Sequence, residues 1–339
     1  MIRELRIGVG RSDRTQAMIE SRIRFGSADA VVDSPSHEEL FRRAFDLELY
    51  DVAELSLSNF IVMTAAGQCG YAALPIFTSR MFRHSTIYIR TDRGIKQPSD
   101  LKGRTIGVRE FSNTATVTAK GLLSDVYSVR QQDISWRYGP VNPGEDRPIQ
   151  RRIPPRIEAE AIEVGECLSD LLATGALDAI IAYSPPRCFQ ERQEQVARLF
   201  PDYRAHEMSY FSRSGVFPIM HLLGIRRSLA DDAALCVDIC ETFERAKQDA
   251  MRALERLDAL PVMLPWLSAS VQDVQRVMGQ DYWPYGLARN QAALLATLRW
   301  LAEQELIETA PRLNDLFAAP LQTWEPPSDP NDHQGNPYP

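Results

Sequence analysis

Three side chains able to grip and protonate an anion stand close together: Arg80, Arg83 and His84, in the run Phe77-Thr78-Ser79-Arg80-Met81-Phe82-Arg83-His84-Ser85. A guanidinium holds a carboxylate through two parallel hydrogen bonds. An imidazole beside it adds a donor or carries a proton near neutral pH. The cluster could form a carboxylate clamp, but by composition alone it reads as an exposed basic loop. His221 follows the apolar residues 216–220. On a strand crossing between two lobes it would line a cleft and serve as an acid; inside a core it would only be hydrogen-bonded. Glu110 follows the strand-like run Thr105-Ile106-Gly107-Val108 and precedes a helix start. It is a candidate base, or a charge at a helix terminus. Ser112, Asn113 and Thr114 at that start suit helix capping, and the same backbone N–H groups can bind an anion. Arg14 lies after the first strand, where open α/β sheets place ligand contacts, or is a surface arginine. Ser56 and Ser58 read as cleft hydroxyls or as caps of the next helix. Trp283 and Tyr285 could cover an aromatic ring, with core packing as the alternative.

Other chemistries find less support. His37, His84, His206, His221 and His333 show no metal-ligand spacing with one another or with cysteine, so no metal is expected from spacing, which leaves open a site assembled from residues distant in the chain. Gly8-Val9-Gly10 lacks the third glycine of a dinucleotide fingerprint, and no cofactor is expected. The five cysteines form no CxxC pair and read as small core residues.

These side chains must be carried by a frame, and its elements are legible in outline. Strand patterns occur at residues 4–9, 51–56, 86–90, 105–108, 179–182 and 216–226. Ser36 with Glu39 forms a capping box that opens a helix. Further helices are expected over about 58–66, from 112 to about 125, and from Cys167 to Thr174. Residues 139–156 hold five prolines and four arginines and read as a loop. After residue 231 the pattern is helical, at 231–257, 270–278 and 286–305. Residues 321–339 hold five prolines and read as a disordered tail. Strands alternating with helices imply an α/β class with largely parallel sheets.

Composition sets the outer bounds. A chain of 339 residues with 44% hydrophobic and 24% charged residues is ordinary for a globular protein. The net charge of -7 argues against a general nucleic-acid binder. No run approaches a membrane span, and the N-terminus lacks a signal-peptide core. The expected location is the cytoplasm, with no nucleic-acid or membrane partner.

Ser99-Asp100-Leu101-Lys102-Gly103-Arg104-Thr105-Ile106-Gly107-Val108 and Gly175-Ala176-Leu177-Asp178-Ala179-Ile180-Ile181 resemble the turns of type II periplasmic-binding proteins. The fold implied is two-lobed, with a cleft between the lobes. Lobe 1 would take residues 1–92 and 219–320, and lobe 2 residues 93–218. A narrower resemblance, from about residue 4 to 318, is to the 4,5-dihydroxyphthalate decarboxylase family. It is carried by Asp13-Arg14-Thr15, Tyr50-Asp51-Val52-Ala53-Glu54-Leu55-Ser56, the run from Phe77 to Ser85, Phe217-Pro218-Ile219-Met220-His221 and Trp283-Pro284-Tyr285-Gly286.

That resemblance implies cofactor-independent loss of one carboxyl group from a dihydroxylated phthalate, giving protocatechuate, by a homo-oligomer. A hydroxyl para to the carboxylate makes the chemistry accessible: a base takes the phenolic proton, an acid protonates the ring carbon, and CO2 leaves as aromaticity returns. His221 is then the expected acid, with His84 as the alternative, and Glu110 the expected base. Arg14, Arg80, Arg83, Ser56, Asn113 and Thr114 would bind the dianion. Tyr183-Ser184-Pro185-Pro186-Arg187 and Ser112, Asn113 and Thr118 depart from the family pattern where the cleft is expected. A decarboxylase of another hydroxylated aromatic acid, or a non-catalytic solute-binding or sensor protein, are the competing readings.

Overall fold

Eleven strands are present among the residues described by the computed structural model, 3–256 and 258–327. In chain order they are β1 (Arg3–Gly8), β2 (Ala28–Asp33), β3 (Val52–Ser56), β4 (Tyr71–Arg80), β5 (Ile87–Arg90), β6 (Thr105–Val108), β7 (Ser135–Tyr138), β8 (Ala159–Ala161), β9 (Ala179–Ile181), β10 (Val196–Arg198) and β11 (Ile219–Arg226). They form two sheets, in the orders β2-β1-β3-β11-β4 and β10-β5-β9-β6-β7-β8. β1 runs parallel to β2 and β3, and β11 runs antiparallel between β3 and β4. In the second sheet β9, β6, β7 and β8 are parallel, whereas β5 is antiparallel to both of its neighbours.

Each sheet is a lobe, and the chain crosses between them twice. The second crossing falls between the helix Tyr203–Ser214 and β11. The first lies between Arg80 and Ile87, not near residue 92. β5 is buried along its length and pairs with β9 through Ile87, Tyr88 and Ile89, which places it in the second sheet. Its apolar side chains complete that sheet's core, so pairing, not the turn at residues 91–94, marks the boundary.

β3 is buried at every position and lies at the centre of its sheet, between β1 and β11. β4 carries Pro75, which has no N–H for a ladder, and lies at an edge, where proline is tolerated. The pairing of β11 with β4 shifts register on both sides of His221. Such a bulge bends a strand and re-aims the side chain it carries.

The helical C-terminal third follows the sequence expectation, as Ala233–Leu254, Leu267–Met278 and Gln291–Glu303. The first packs on β4. The last touches Leu57–Ala65 of lobe 1 and Thr114–Tyr127 of lobe 2, so it braces both lobes. The tail departs from expectation at its start. Leu321 is fully buried, Trp324 packs on the core, and Glu325 accepts a hydrogen bond from the Ala288 N–H at 3.0 Å. Residues 328–339, with His333, lie outside the described residues. The helix Tyr203–Ser214 escaped the periodicity reading because Tyr210 is its one buried residue.

The brace has one tight point. Gly121 lies under Trp300, and a Cβ there would sit 2.5 Å from Trp300 Cγ. Trp300 is itself 1% exposed and cannot step aside. Gly121→Ala should therefore destabilise the fold by about 1–3 kcal/mol, outweighing the roughly 1 kcal/mol by which alanine favours a helix. Urea unfolding followed by tryptophan fluorescence measures the sign; a more stable variant would contradict this packing.

Candidate functional site

A cavity of about 530 Å³ opens between the two sheets. Its wall from lobe 1 includes His37, Phe41, Ser56 and Asn59; its wall from lobe 2 includes Arg109, Glu110, Asn113, Thr114 and Tyr183. Met81 and Arg83 from the first crossing and Met220 and His221 from β11 close its back. Phe41, Phe45, Met81, Met220, Pro148 and Ile149 make much of the surface apolar, as a site for a flat ring requires.

His221 is held by Glu54, a residue whose place in an apolar strand gave no sign of a role. His221 Nδ1 lies 2.6 Å from Glu54 Oε1, and Glu54 Oε2 accepts the Gly10 N–H at 2.9 Å. His37 Nε2 lies 3.5 Å from the same Oε1. A Cβ at position 10 would overlap the His37 ring, so this approach needs glycine. Burial alone would raise the Glu54 pKa, but the hydrogen bonds of His221 and His37 outweigh it and hold the carboxyl well below its ordinary range. His37 is raised, chiefly by its hydrogen bond to Glu54. Burial lowers His221, and the Glu54 carboxylate opposes that shift. With Nδ1 engaged, Nε2 is the His221 nitrogen without a protein partner among the described residues.

His37, Glu54 and His221 also place ligand atoms within 4.8 Å of one another, the one such group found among the described residues. Two imidazoles and a carboxylate could hold a divalent ion. Linear spacing could not show this, because the three come from positions 37, 54 and 221. As built, both Glu54 oxygens are satisfied by N–H donors, so the group is complete as a hydrogen-bonded unit.

Arg83 is the cation best placed to receive a carboxylate. It is 7% exposed and lines the cavity, and its Nε donates to Met220 Sδ at 3.1 Å. It has no ion-pair partner among the described residues. Burial lowers its pKa to about 10, which leaves it charged at neutral pH. Arg109, by contrast, is paired with Glu38 at 3.0 Å and Glu145 at 2.5 Å.

Glu110, Asn113, Thr114 and Ser56 all line the cavity, where the sequence placed them. Burial raises the Glu110 carboxyl, with hydrogen bonds from Ser112 and Asn59 opposing. Asn113 caps its helix, accepting the Thr116 N–H at 2.8 Å. Thr114 Oγ1 accepts the Ser58 N–H at 3.0 Å and lies 3.1 Å from Ser56 Oγ, so it ties the two lobes together. Asn59 Oδ1 is buried with no hydrogen-bond partner, an acceptor that the sequence did not flag.

Three expected site residues do not line the cavity. His84 is 2% exposed and packs edge-on against Phe200 and Tyr210 under the helix Tyr203–Ser214. Burial, with help from His206 and Arg213, lowers its pKa to about 4, so it is neutral. Arg80 points into the first lobe's packing. It donates to Phe217 O at 3.1 Å, Pro284 O at 2.8 Å and Asn290 Oδ1. Arg14 lies 4.3 Å above the Trp283 ring, donates to Thr78 O at 3.0 Å and pairs with Asp13. Trp283 and Tyr285 belong to this packing as well, and neither lines the cavity.

Arg80 is thus a structural cation, and its replacement has a distinct signature. Arg80→Met should cost about 2–4 kcal/mol of stability, because two buried carbonyls and an amide oxygen lose a charged donor. KM should stay within a few-fold of wild type. A large KM change at unchanged unfolding midpoint would return Arg80 to the site.

No family model matches the chain. It is 39% identical over 289 residues to the 4,5-dihydroxyphthalate decarboxylase of Comamonas testosteroni, covering 85% of this chain and 88% of that protein. To the enzyme of the same name from Pseudomonas putida it is 39% identical over 199 residues, 58% of this chain and 77% of that one. Among solved structures, the aliphatic sulphonate-binding protein SsuA of Escherichia coli superposes with a TM-score of 0.51 at 16% identity, covering 99% and 96% of the two chains. The alkanesulfonate-binding protein from Xanthomonas axonopodis pv. citri gives 0.52 at 13% identity, covering 93% and 97%. These structures share the two-lobed periplasmic-binding fold. A match at 39% identity along most of both chains carries more: with the cleft it lines, this chain belongs to the 4,5-dihydroxyphthalate decarboxylase family.

Proposed function

We propose that the protein decarboxylates 4,5-dihydroxyphthalate to protocatechuate and CO2, with no cofactor. The observation that carries the reading is the cavity itself: Arg83 with no ion-pair partner among the described residues, the Glu54-held His221 and the half-buried Glu110 converge on apolar walls of aromatic size. Each carboxylate of this substrate has a hydroxyl para to it. In the proposed sequence Glu110 takes the phenolic proton. His221 then gives the proton on Nε2 to the ring carbon that bears the carboxylate. The carbon–carbon bond breaks, its electron pair restores the aromatic ring as a phenolate, CO2 leaves, and Glu110 returns the phenolic proton. Arg83 holds the carboxylate that is retained, and Asn59 Oδ1 accepts from a catechol hydroxyl.

A cytoplasmic location in aromatic-acid breakdown completes the proposal; five buried, unpaired cysteines suit a reducing compartment. Among the described residues, no helix is long and apolar enough to cross a membrane. A homo-oligomer fits the exposed apolar side chains of Val262, Met263, Leu264 and Trp266, and light scattering on the eluting protein tests it. The function is tested by incubating the protein with 4,5-dihydroxyphthalate and following CO2 and protocatechuate. Turnover is expected. Tight binding without turnover would replace the enzyme with a binding protein, and no response at all would point to another aromatic acid.

A further inference from the structure

Loss of CO2 from a carboxylate with hydrogen taking its place consumes one proton per turnover. Whatever group protonates the ring carbon must be recharged from solvent before the next cycle. In the proposed site that group is His221, which is part-buried and whose Nδ1 is held by Glu54. The proton needs a route, and the route needs a carrier that touches both the acid and bulk water.

We propose that His37 is that carrier: it takes a proton from solvent at the cavity mouth and passes it to His221, while Glu54 stays ionised and holds the one positive charge that the two rings share. This rests on the decarboxylase reading above. In the transfer one N–H bond on His37 breaks and one N–H bond on His221 forms, and water or buffer then reprotonates His37. No other reactant is needed.

The geometry meets the requirements of a shuttle. The two rings have centroids 5.1 Å apart and no direct hydrogen bond to each other, a separation that one bridging water spans. The His37 side chain is 53% exposed, while the Glu54 side chain is 3% exposed and that of His221 18%. The path therefore runs from solvent to interior within one cluster. Glu54 faces both rings, 2.6 Å from His221 Nδ1 and 3.5 Å from His37 Nε2, so a proton on either ring meets the same counter-charge. Arg83 is the charged group that faces His221 from the first crossing. Phe41 packs against both rings from the helix that carries His37 and supplies no competing proton site. The helix begins at the Ser36 cap, which fixes where His37 enters the cavity. Capping alone does not explain why position 10 must lack a Cβ so that the His37 ring can approach Glu54.

The test compares wild type with His37→Ala and His37→Gln, in dilute buffer and with added imidazole. With 4,5-dihydroxyphthalate as substrate, kcat should fall about 10- to 100-fold in the variants, less than the about 10²–10⁴-fold expected for loss of an acid that touches substrate. KM should change little. Imidazole should restore kcat saturably in the variants and leave wild type unaffected, and the variants should gain a solvent deuterium isotope effect. Rescue also proves the variants folded. Unchanged kcat, or a loss that imidazole does not relieve, would overturn the shuttle. So would a stoichiometric divalent ion in the active protein whose removal abolishes turnover, because the three side chains would then be its ligands. If wild type turns over and only these signatures fail, the decarboxylase reading survives; if wild type is inert on every dihydroxyphthalate, both fall.

Discussion

Replacing His221 by asparagine is expected to lower kcat for decarboxylation by about 10²–10⁴-fold, the contribution of one well-placed acid, with KM within a few-fold of wild type. Asparagine keeps a polar group near Glu54 but cannot deliver a proton to carbon. The pH profile follows from the same side chain. The protonated imidazole is the active form, so activity should fall as pH rises through its pKa. Burial lowers that pKa and the Glu54 carboxylate raises it. Glu54→Gln removes the opposing charge and should move the alkaline limb of kcat/KM to lower pH. An alkaline limb that stays in place in Glu54→Gln would show that His221 is not the group titrating. A His221→Asn protein with near-normal kcat would remove His221 from the chemistry, and Glu110, a cavity carboxyl whose pKa burial raises, would be the next acid to test.

Arg83→Gln should produce the second large effect, and mostly in KM. Leaving a substrate carboxylate without its partner in a dry site costs about 2–5 kcal/mol, which is roughly 30- to several thousand-fold in affinity. Arg83→Lys should recover part of this, since lysine keeps the charge but not the forked pair of donors. Stability should move the other way. Arg83 is a buried cation whose one hydrogen-bond partner among the described residues is the Met220 sulfur, so removing it relieves a desolvation cost. Thermal unfolding of Arg83→Gln at or above the wild-type midpoint, with KM greatly raised, is the expected pair. A lowered midpoint with unchanged KM would make Arg83 a structural residue like Arg80.

The contrast between Arg80 and Arg83 shows where sequence reading reaches its limit. The two arginines and His84 lie within five positions, and proximity in the chain suggested a common task. Their side chains diverge because Arg80 ends β4, whereas Arg83 and His84 lie in the crossing that follows. One guanidinium turns into the C-terminal helices, one into the cavity, and the imidazole under another helix. What was legible were local patterns: the strands with strong alternation, the caps at Ser36 and Asn113, and the stretch leading to His221. The α/β class followed from those, and the two-lobed form from the resemblance of residues 99–108 and 175–181 to periplasmic-binding turns. The Glu54–His37 partnership was not legible. Glu54 interrupts an apolar strand and His37 follows a capping serine, and both have ordinary local explanations. Only the approach of β3, β11 and the helix at His37–Phe41 joins them. The strands β2, β4, β7, β8 and β10 were missed, and length alone does not separate them from β9, three residues long, which was read; β4 is buried at all but one of its ten positions and so shows no alternation of apolar and polar side chains.

The sheet order also has a consequence in time. β3 and β4 leave the ribosome early, but the strand that lies between them, β11, is made about 140 residues later, after the whole second lobe. At synthesis rates of about 5–20 residues per second, those two edges wait roughly seven to thirty seconds for their partner. During that interval the first lobe is an incomplete sheet with open hydrogen-bonding edges, the kind of surface that pairs with other chains. The second lobe can close first, since its six strands are continuous in sequence. Yield of folded protein should therefore depend on conditions during synthesis more than on the final stability of the fold: slowed translation, which lengthens the wait, should lower it, and added chaperone should raise it.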